Sequence, residues 1–155
     1  MIQEDPARQV QQALINEMRL RPPCGIDPSQ IRAKLDTSGE MKGFSGITVS
    51  VSDLGGHDGL PGRILVDVKV RVMVWTHVDE DKDGSLCDDL ASETMRLMPT
   101  LNDNNDDWIL PPLDGWAVRF PGNIQTDEPE LSADGAYRVK EISTTMFLQN
   151  LNLGE

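Results

Sequence analysis

The residues best able to do chemistry crowd into DEDKDGSLCDDL, residues 79 to 90. Asp79, Asp81 and Asp83 alternate and are followed by Gly84. A calcium-binding EF-hand loop opens in the same way, with oxygen ligands at positions one, three and five and a sharp-turn glycine at six. Leu86 falls on that loop's apolar position. The loop should close on a bidentate Glu at position twelve, but position twelve here is Leu90. Position nine is Cys87, a poor ligand for a hard cation. Asp88 or Asp89 could supply a late carboxylate. The competing reading is a strand-to-helix corner. Asp, Gly and Ser are turn and N-cap residues, so Asp83 or Ser85 would cap the helix. Asp88 and Asp89 would then face the positive end of the helix dipole. The corner explains the same residues without a missing ligand, so no metal site is expected. A calcium-binding interaction module built on residues 79–90 is the alternative.

His57 and His77 are the only histidines. His57 and Asp58 lie in GGHDGLPG, which has the flavour of a catalytic loop but consists of ordinary turn residues. His77 stands next to the acidic stretch, where a His–carboxylate pair is conceivable. GxSxG, HExxH, CxxC and GK[ST] are all absent, so no nucleophile elbow, zinc helix, redox pair or phosphate loop is indicated. The chain is not expected to be an enzyme, and no catalytic or cofactor-binding residue is assigned. Cys24 and Cys87 are far apart and read as ordinary reduced thiols. Trp75, Trp108 and Trp116 are large aromatics in a chain with few. They read either as rim packing or as subunit-interface anchors, since tryptophan is enriched at binding hot spots. They are the candidate interface residues.

These groups need elements to position them. The stretch EDPARQVQQALINEMRLRPP reads as a helix with Asp5 as cap and Pro6 at the first position. Val10, Leu14 and Met18 form its apolar stripe, and Pro22 and Pro23 end it. IDPSQIRAKLD suggests a short second helix. ITVSVSDL, residues 47–54, alternates as a half-buried strand. RILVDVKVRVMVWTHV, residues 63–78, is the strongest strand, with Ile64, Val66, Val68, Val70, Val72 and Val74 on one face. Its reach of ~50 Å exceeds a typical strand, so it should bend or project beyond the core as an arm of a long hairpin. Its first half is expected to pair antiparallel with 47–54. Residues 84–101 read as a helix with Leu86, Leu90, Leu97 and Leu101 on one face. A short strand at 115–120 and a closing strand at 136–150 follow. In the closing strand Ile142, Met146 and Leu148 share a face.

The order gives an α+β fold: an N-terminal helix, a long antiparallel β-hairpin and one central helix packed on a mostly antiparallel sheet. A single domain over 1–155 is expected, with extended loops at about 22–46, 54–62, 102–114 and 121–135. The chain has 26 Asp and Glu against 14 Lys and Arg, a net charge of −12. That balance argues against binding nucleic acid through phosphate neutralisation and against an anionic membrane surface. No run approaches the ~20 apolar residues of a membrane helix. MIQEDPARQVQQ lacks a basic start and apolar core, so no secretory signal is expected. A soluble intracellular protein is the expectation.

The second half, read as a line, runs GRILVDVKVRVMVWTHVDED, then LCDDLASETMRLM, GWAVRFPG, TDEPEL and DGAYRVKEISTTMFL. This succession resembles tail terminator and tail-completion proteins of tailed bacteriophages, over roughly residues 5–20 and 60–148. The segment 22–58 departs from that pattern, being longer and rich in Pro and Gly. The resemblance implies a structural virion protein of the tail or neck, assembled in the host cytoplasm. It implies a homo-oligomeric ring, a hexamer, that caps the tail tube and joins it to the head-side connector. Its partners would be tube proteins, sheath proteins where present, and the connector. DNA would pass through the lumen without specific binding, and an acidic lining would repel its phosphates. No enzyme activity, cofactor or membrane is implied. Another neck or baseplate adaptor of a phage tail is the alternative within the same class.

Overall fold

The computed structural model describes residues 6–33, 45–56, 65–97, 116–118, 124–126, 128, 130–132 and 135–150. Helix α1 spans Pro6–Leu20. Proline suits its first position because the missing N–H has no intrahelical acceptor there. The last helical bond runs from the Arg21 N–H to the Glu17 carbonyl, after which Pro22 and Pro23 have no N–H to continue the ladder. Asp5, the expected cap, lies outside the described residues. Val10, Leu14 and Met18 are fully buried, and Ala7, Ala13 and Ile15 flank them. Each large member of that stripe stabilises the docked helix by ~1.5–3 kcal/mol relative to exposure.

Strands β1 (Ile31–Ala33), β2 (Ser45–Gly56) and β3 (Leu65–His77) follow. Then come α2 (Ser85–Leu97), β4 (Trp116–Val118), β5 (Gln125–Thr126), β6 (Glu130–Leu131) and β7 (Tyr137–Asn150). The strands form one sheet in the order β1-β2-β3-β7, and β4, β5 and β6 pair in turn along the far edge of β7. All pairings are antiparallel except β1 with β2. The α+β class read from the sequence is the class observed.

Both helices cover the same face of the sheet. α1 lies over β1 and β2, and α2 lies over β3 and β7. Between them is an apolar layer of Ile47 and Val49 from β2, the five even-numbered valines of β3 from Val66 to Val74, and Ile142, Met146 and Leu148 from β7. The register aligns these in rows: Val49, Val72 and Ile142 stand abreast, as do Val66 and Leu148.

Several sequence expectations are corrected. β3 does not project as an arm. Each of its 13 residues pairs with β7, and Val66 to Thr76 also face β2. Its valine stripe runs the whole length, so the whole length is roofed. Pairing with β2 therefore extends past the first half, with Ser45 opposite Thr76. A bulge between Asp53 and Gly55 leaves Leu54 exposed. The described part of IDPSQIRAKLD, residues 26–33, is not a helix: Pro28–Gln30 is one 3-10 turn, and Ile31 then enters β1 with its side chain fully buried. Asp27 accepts from the Ser29 N–H and fixes that turn. The expected loops at 22–46 and 121–135 therefore contain short strands, and 54–56 belong to β2. The inner line of α2 is Cys87, Leu90, Ala91 and Thr94, with Leu86 only half-buried. Leu101 lies outside the described residues.

Candidate functional site

The acidic stretch turns β3 into α2. The Glu80 and Asp81 N–H groups both donate to the His77 carbonyl at 3.0 Å, which reverses the chain. Asp81 is then 2% exposed, yet its carboxylate is fully engaged. It accepts from the Thr76 hydroxyl at 2.7 Å, the Leu86 N–H at 3.0 Å and the Cys87 N–H at 2.9 Å. Two otherwise unpaired donors of the first helical turn are thereby satisfied by one carboxylate. Asp83, exposed, accepts from the Ser85 N–H and hydroxyl at 3.0 and 2.8 Å. Gly84 has φ +83, a left-handed backbone that glycine adopts without strain, and it lies against the Arg138 side chain.

Arg138 comes from β7, opposite Thr76. Its Nε donates to the Asp81 carbonyl at 2.9 Å and its Nη2 to the Lys82 carbonyl at 2.7 Å. Burial alone would push the Asp81 carboxyl up. The Thr76 hydroxyl, the two helix N–H groups and the Arg138 charge outweigh that and hold it below the ordinary carboxylate range. Asp83 is held low by its Ser85 bonds. Burial pushes the Cys87 thiol up, and its side chain packs in the core.

Residues 79–90 form the corner between β3 and α2. The central carboxylate of the run points inward and serves three protein donors. Among the described residues no group of three or more His, Cys, Asp or Glu side chains is placed to hold a metal. The sequence places the cap at Asp83 or Ser85; Asp83 does accept the N–H of Ser85, the first helical residue, and Asp81 accepts those of Leu86 and Cys87. His77 does meet an acid: its Nδ1 lies 3.7 Å from the Asp79 carboxylate and accepts the Asp79 N–H at 3.2 Å. Its ring stands edge-on to Tyr137. These contacts shape a turn. His57 and Asp58 lie outside the described residues.

The three tryptophans part company. Trp75 is fully buried, edge-on to Tyr137 with ring centroids 5.4 Å apart. Its cross-strand partner is Gly46, and a Cβ there would collide with the indole. The absence of a side chain at 46 lets the ring lie down on β2. As a subunit-interface anchor Trp75 is therefore corrected: it presents no surface to a partner. Trp116 opens β4, opposite Asn150 on β7. Trp108 lies outside the described residues.

Sequence reading did not find Arg138 as the brace of the corner. It is 56 residues from Lys82, and nothing local marks the contact. The same holds for Glu93, whose carboxylate accepts the Cys24 N–H and ties the segment after α1 to α2.

No protein-family model matches this sequence, and no curated protein matches it. One solved structure superimposes with a TM-score of 0.62 at 14% identity, over 92% of this chain and 92% of that one. At that identity the likeness shows a shared fold alone. No helix among the described residues is long and apolar enough to cross a membrane.

Proposed function

We propose that this chain is a structural protein of a tailed-bacteriophage virion, a tail terminator whose copies form a ring. The ring, a hexamer by resemblance, caps the tail tube, stops its growth and joins it to the head-side connector. The observation that carries the reading is the order of elements on one sheet. Helix α1, the short strand β1, the long strands β2 and β3, the acid-capped helix α2, the short edge strands β4 to β6 and the long closing strand β7 follow one another, and this order supports the resemblance drawn from sequence. The fate of the reactive side chains supports it. Asp81, Asp83, His77 and Cys87 each serve the corner or the core. The net charge of −12 suits a channel that must not hold DNA phosphates.

The test is tube growth. Tail-tube subunits polymerising with this chain present should give short tubes bearing an added ring at one end in negative-stain images. Tubes of unchanged length with bare ends would reject the reading.

A further inference from the structure

We draw no further inference here: the strongest candidate, the sheet face turned away from both helices, where Arg71 stands between Ser50 and Ser143 and Lys69 between Ser52 and Thr145, carries nothing because nothing in the structure shows what covers it.

Discussion

Two helices roof one face of the same sheet, and they are held there by different physics. α1 is docked by apolar area, with a stripe of six buried residues from Ala7 to Met18. Its polar ties include Arg19 to the Ile31 carbonyl and the Gln11 side chain accepting the Val51 N–H on β2. α2 buries a shorter line of smaller side chains, Cys87, Leu90, Ala91 and Thr94. It is held at its start by a buried carboxylate and braced through Arg138. The first attachment is broad and non-directional. The second depends on a few bonds with fixed geometry, and leaving a buried donor or acceptor unpaired costs the full desolvation of that group.

That contrast can be broken at four points. Leu14→Ala should destabilise by about 3 kcal/mol, measured by urea unfolding, with little change between neutral and acid pH. Asp81→Asn should cost about 2 kcal/mol, because an amide cannot accept all three donors without presenting its own N–H groups to the pocket. Its effect should depend on pH. The folded Asp81 carboxyl lies below its unfolded value, so its contribution is complete above the ordinary carboxylate range. It is lost as acid titrates through the folded value. The gap between wild type and Asp81→Asn should therefore close on acidification, while the gap for Leu14→Ala stays open. Arg138→Met should cost about 1–1.5 kcal/mol. A double-mutant cycle with Asp81→Asn should show coupling, since both act on one turn. Arg19→Met should be the mildest, about 1 kcal/mol, and additive with Asp81→Asn because the two act on opposite halves.

The sequence disclosed what periodicity can carry. The Val66 to Val74 alternation marked a strand face that is fully buried, and Val10, Leu14 and Met18 marked the face of α1 that docks. Residues 136–150 read as a closing strand for the same reason, and the strand observed is Tyr137–Asn150. Contacts between distant segments were hidden. Arg138 reads as one charge in a polar strand until the fold sets it beside Asp81 and Lys82. IDPSQIRAKLD suggests a helix because Pro28 suits a helix start, whereas the fully buried Ile31 side chain belongs to the sheet. Trp75 reads from sequence either as rim packing or as an anchor, and Gly46 across the strand pair, which lets the ring lie down, is not adjacent in sequence. The acidic corner was legible as a strand-to-helix junction, but the choice among its carboxylates was not. Asp81, Asp83 and Ser85 are all good caps by type, and only burial beside Thr76 selects Asp81.

The central claim is that this chain works as a ring. Electron microscopy of the purified full chain at low ionic strength tests it most directly. Class averages should show closed rings with an open lumen, built from copies in one repeating orientation. Single compact particles at every concentration, or two-fold dimers with no lumen, would contradict it.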